Sequence, residues 1–89
     1  MDAATLLSQL RRCTTIVEKL PDTTWVGLTV STDTIALHVS QVANGPECLR
    51  ALGATRATSI DPGCWLATID GLRVYATESS RHDAQTVAL

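Results

Sequence analysis

The sequence predicts an α+β domain in which two helices pack on one face of a mostly antiparallel sheet of four to five strands, in the order α-β-β-α-(β)-β-β. Three observations carry that prediction. Apolar residues recur at spacings of three and four from Ala3 to Leu20, the period of an amphipathic helix. Two runs rich in β-branched residues, Thr24 to Val30 and Thr34 to Ser40, flank a short polar turn at Ser31, Thr32 and Asp33. Further on, Asp70-Gly71 sits between two alternating apolar runs, which is the strongest short hairpin signal a sequence can give.

The first helix buries a stripe of Ala3, Leu6, Leu7, Leu10, Cys13, Val17 and Leu20, with Asp2 able to cap its first turn. Arg11, Arg12, Glu18 and Lys19 fall largely on its polar side. Pro21 disfavours a helical conformation in the residue before it, so the helix is expected to end near Lys19 or Leu20. In the hairpin that follows, alternation puts Val26, Leu28 and Val30 on one face of the first strand and Ile35, Leu37 and Val39 on one face of the second. All six are expected to meet the first helix.

Asn44, Gly45 and Pro46 combine a turn with a helix start, and Gly53 suits the left-handed residue that closes a helix. A short second helix results, with Cys48, Leu49 and Leu52 as its buried stripe and Glu47 and Arg50 facing water. Ala54 to Ile60 has the threonine content of an edge strand but little alternation. A two-residue turn at Asp70-Gly71 then pairs Ile69 with Leu72, Ala67 with Val74 and Trp65 with Ala76 beneath the helices. Thr68 with Arg73, Leu66 with Tyr75 and Cys64 with Thr77 are left on the other side. The domain is expected to span residues 1–78, and the polar stretch from 79 to 89 to be a flexible tail.

Composition removes several classes of function. A chain of 89 residues holds one core, and with no Phe, two Trp and one Tyr its buried area must come from aliphatic side chains. A formal net charge of −2 provides no long-range attraction for phosphate backbones or anionic lipid. No stretch approaches the roughly 18 apolar residues of a membrane span, and the start carries no basic segment followed by an apolar run. Cys13, Cys48 and Cys64 are odd in number and widely spaced, which fits free thiols and a cytoplasmic location. Arginine is used almost throughout, with Lys19 the sole lysine, as in a GC-rich genome.

Catalytic and metal chemistry find little to work with. The cysteines lie on three separate elements with no C-x-x-C pair, so neither a metal nor any other cofactor is expected. Cys13 and Cys48 sit on apolar stripes, where cysteine acts as a small hydrophobe. Cys64 and His38 share the outer sheet face, the only conceivable nucleophile and base, but no third residue orients them. The aspartates Asp22, Asp33, Asp61, Asp70 and Asp83 fall in turns and loops, and the five glycines are dispersed rather than gathered into a phosphate loop. The chain reads as non-enzymatic.

What remains is the sheet face opposite the helices, where Trp25, His38, Leu66, Arg73 and Tyr75 form a candidate protein-binding face. The ordinary alternative is a solvated sheet surface with Trp25 folded back toward the first helix.

The runs LPDTTWVGLTV, TDTIALHVS, LRALGA and GCWLATIDGLRVYATE resemble small uncharacterised accessory proteins of actinobacterial phages and mobile elements, from about Leu6 to Thr77. That resemblance implies a viral or mobile-element product in the host cell cytoplasm and brings no catalytic residues with it. The expected function is binding of a host or phage protein, with inhibition of a host target as one form, or self-association through the outer face or an edge strand. The competing expectation is a small nucleic-acid-binding regulator using the same face, with Arg73 and Arg56 on phosphate and Tyr75 stacked on a base.

Overall fold

In the computed structural model, which describes residues 1–79, helix α1 (Ala3–Val17) begins where Asp2 accepts a hydrogen bond from the Thr5 amide at 2.8 Å. That bond satisfies one of the amides left open at a helix start and holds the Asp2 carboxyl below its usual range. The chain continues as strands β1 (Trp25–Val30) and β2 (Ile35–Val42), helix α2 (Gly45–Ala51), and strands β3 (Thr58–Asp61), β4 (Cys64–Ile69) and β5 (Leu72–Glu78). Helix α2 has the expected punctuation. Asn44 accepts from the Glu47 amide at 3.1 Å, Pro46 stands in the first turn, and Gly53 follows the end at φ 113°.

The five strands form one mixed sheet in the order β1-β2-β5-β4-β3. Three neighbouring pairs are antiparallel, and the fourth, β2 with β5, is parallel. Asp70 and Gly71 both adopt positive φ, 51° and 80°, as a two-residue turn of this kind requires. The register is the expected one, with Ile69 opposite Leu72, Ala67 opposite Val74 and Trp65 opposite Ala76. Gln41, at φ 60°, is the extra residue of a bulge in β2, after which Val42 pairs with Glu78. The Glu78 carboxylate then accepts from the Gly45 amide at 2.7 Å and fastens the start of α2 to the end of β5.

Both helices lie on one side of the sheet. Ile16 and Cys13 of α1 share a single buried cluster with Leu49 of α2, Leu52 just beyond it, and the inward residues Ile35, Leu37, Val39, Ile69, Leu72 and Val74. Arg12 reaches from α1 to the Asp70 carbonyl at 3.2 Å, and Lys19 to the Leu52 carbonyl at 3.4 Å, so two cations of the polar side also tie α1 to the rest of the fold. Gln9 accepts from the Ile35 amide at 2.9 Å.

Four expectations need correction. Val26, Leu28 and Val30 do not pack under α1, and they remain 39%, 48% and 58% exposed. The reason is position: α1 rests on β2 and β5, and β1 is the strand beyond them at the sheet edge. Helix α1 stops at Val17 rather than near Leu20, since the Lys19 and Leu20 amides already bond three residues back in a tighter turn. Leu7, counted in its buried stripe, is 52% exposed. Cys48, counted in the buried stripe of α2, is half-buried, while Trp65 packs against the cluster beneath α2 as expected. Of the expected tail only Ser79 is described, and the rest, 80–89, lies outside the described residues.

Leu28 and Leu37 are cross-strand partners with the same side chain and opposite surroundings. Leu37→Ala is expected to cost about 2–5 kcal/mol and Leu28→Ala less than about 1 kcal/mol in chemical denaturation. Similar losses would mean that α1 covers both strands. A Cβ on Gly45 would stand 2.3 Å from Trp65 Cδ1. Gly45→Ala is therefore expected to cost about 1–3 kcal/mol and to shift the Trp65 fluorescence, and unchanged stability would contradict that packing.

Candidate functional site

Because both helices share one side, the outward residues of β2, β5 and β4 are left without a covering layer. Parallel register sets His38 beside Tyr75, and the β5–β4 hairpin sets Tyr75 beside Leu66. The imidazole and phenol rings stack, with centroids 4.9 Å apart and planes 8° from parallel. From the other side Thr29 Oγ1 shares a hydrogen bond of 3.0 Å with His38 Nε2, which fixes the ring. The row thus reads Gly27, His38, Tyr75, Leu66 and Thr58 across five strands.

Apart from Arg73, the residues around this row are small and uncharged. Ala36 and Thr68 flank Arg73, while Ser40, Thr77 and Cys64 form the next line. Arg73 is the one charged side chain among the outward positions of β2, β5 and β4. It is exposed, and it lies two residues along β5 from Tyr75. His38, Leu66 and Tyr75 are half-buried by their neighbours, and Trp25, opposite Ser40 at the corner of the sheet, is 66% exposed. The structure therefore brings four of the five candidate residues together and sets Trp25 at their margin. Trp25 does not fold back against α1.

Cys64 and His38 share the face but not a hydrogen bond. Thr77 donates to Cys64 Sγ at 3.9 Å, whereas His38 is engaged by Thr29 and Tyr75. Among the described residues no three His, Cys, Asp or Glu side chains gather as metal ligands. None of the described helices is long and apolar enough to cross a membrane.

A second apolar surface was not visible in the sequence. An open groove of about 740 Å³ runs between α1 and β1, lined by Leu10, Cys13, Val17, Val26, Leu28 and Leu37. Strict alternation in β1 reads the same whether or not a helix covers it. The available signal was the composition of WVGLTV, six residues with neither charge nor proline at what proves to be a sheet edge.

Burial raises the thiols of Cys13 and Cys48 above their ordinary range. The folded chain then holds those protons at a pH where the unfolded chain has released them, so stability falls as pH climbs through and beyond the usual thiol range. At pH 8, alkylation of both cysteines is expected to run roughly tenfold or more slower in the native protein than in urea. Peptide mapping checks this, and equal rates would place both thiols at the surface. Comparison with protein-family models, curated proteins and solved structures finds no match to this chain.

Proposed function

We propose that this chain is a non-enzymatic binding protein that docks a host or phage protein on the open face of its sheet, as the accessory product of an actinobacterial phage or mobile element acting in the host cytoplasm. One observation carries the reading: both helices occupy a single side, and the side they leave bare presents the His38–Tyr75 stack, Leu66 and Arg73, with Trp25 at the corner. Rigid aromatic surface amid small hydroxyl-bearing residues suits protein recognition, since the rings provide contact area at little entropic cost and the Ser and Thr groups adapt their hydrogen bonds. Resemblance of the run from Leu6 to Thr77 to phage accessory proteins supports the biological setting.

A nucleic-acid reading draws on one feature, a small cleft in which Arg56 lies with Leu66 and Thr68, which places a second cation near Arg73. Against it stand the net charge of −2 and the imidazole that already occupies one face of Tyr75.

Affinity capture from host lysate separates these readings. Specific partners held by the wild-type chain are expected to be lost, by roughly tenfold or more, when Leu66→Ala and Tyr75→Ala are combined. Equal recovery by a folded double variant removes the sheet-face reading. A gel shift at low salt that collapses at high salt would favour nucleic acid instead.

A further inference from the structure

We infer that the β1 edge pairs with the β1 edge of a second copy, giving a two-fold dimer with one continuous sheet and Leu28 on the axis. This rests on the preceding reading only in taking the chain to act through protein contacts, and of that site's residues it shares Trp25 alone.

The backbone sets the geometry. Ser31 donates its amide to the Thr34 carbonyl at 2.9 Å, which makes these two a hydrogen-bonded pair. Alternation along an antiparallel ladder then makes Thr29 with Ala36, and Gly27 with His38, the next such pairs. Val26, Leu28 and Val30 consequently turn their amides and carbonyls away from β2, toward the open edge. A two-fold antiparallel partner satisfies all three in one register, with Leu28 opposite Leu28 of the second copy and Val26 opposite its Val30. Moving the axis to Gly27 sets Val30 against Thr24, which lies outside the strand.

The side chains agree with the backbone. All six residues of β1 are exposed, and the strand has no charge, proline or bulge, the devices that normally protect an edge. The opposite edge does carry them: β3 is four residues long, shifts register between Ser59 and Asp61, and runs into Pro62. Self-pairing brings no like charges together, because the pairing strand has none, and it sets apolar side chains against apolar side chains. With Trp25, Val26, Leu28 and Val30 exposed at 66%, 39%, 48% and 58%, edge pairing of two copies removes less than about 1,000 Å² from water, the range of weak, transient interfaces. The dimer is therefore reversible and concentration-dependent. Its two α1 helices lie on the same face of the continuous sheet, one on each side of the paired strands.

Sedimentation of the full chain over a range of concentrations tests this. The wild type is expected to pass from monomer to dimer. Leu28→Lys, at a half-exposed position that a monomer tolerates, is expected to weaken association by roughly a hundredfold or more, because like charges meet on the axis. Mixing Leu28→Lys with Leu28→Glu is expected to restore a dimer containing one of each. Val30→Lys, with folding confirmed by circular dichroism, provides a second variant should the first misfold. Leu66→Ala with Tyr75→Ala is expected to dimerise like the wild type, which separates this result from loss of the sheet-face partner. A wild type that stays monomeric at every concentration, a dimer indifferent to both lysine variants, or failure of the opposite-charge mixture to associate would overturn the proposal.

Discussion

The parallel seam between β2 and β5 is the constraint on which the rest of the molecule depends. It joins two antiparallel pieces, the β1–β2 hairpin and the β3–β4–β5 meander, that would otherwise have no shared sheet. On the inner side it sets Leu37 beside Val74 and Val39 beside Ala76, the fully buried centre against which both helices rest. On the outer side the same register sets His38 beside Tyr75 and permits their stacking. A slip of one residue along this seam would move every one of these side chains to the wrong face. Parallel neighbours need a long crossover, and here α2, β3 and β4 provide it.

The end of the seam is finished by a local irregularity. The bulge at Gln41 bends β2 at its end, and α2 starts where the Glu78 carboxylate of β5 accepts from the Gly45 amide. Bringing α2 down this closely also demands a residue without a side chain at position 45, where Trp65 lies against the backbone. Bulge, carboxylate and glycine act together to seat one short helix, whose seven residues would be marginal in isolation.

Local chemistry made much of this legible in the sequence. Asp70-Gly71 specified a turn type and with it three cross-strand pairs. Asn44, Pro46 and Gly53 bracketed α2 to within a residue or two. The alternation of His38, Leu66, Arg73 and Tyr75 placed all four on one face correctly. What the sequence could not show was adjacency between distant segments. Nothing in the β2 or β5 runs states that they are neighbours, so the His38–Tyr75 stack was hidden although both residues were on the right face. The β1 error has the same origin. Period-two patterning says which side chains share a face, but coverage depends on where a strand falls in the sheet order, and that order is decided by long-range pairing.

The two described helices are too few to cover the five described strands, and the shortage falls unevenly. With α1 over β2 and β5, and α2 over β5 and β4, the uncovered strands are the two edges. At β3 the exposed edge is short, broken in register and followed by Pro62, so lack of a covering layer costs little. At β1 the exposed edge keeps Val26, Leu28 and Val30 on its inward side and Trp25 on its outward side. An apolar strand of this kind left permanently in water would attract non-specific pairing, a liability that edges normally suppress with charge. Such suppression is absent on the β1 edge and present on the β3 edge. In the proposed dimer, paired β1 strands would continue the outer face across the axis, with the two Trp25 corners at opposite ends of the pair.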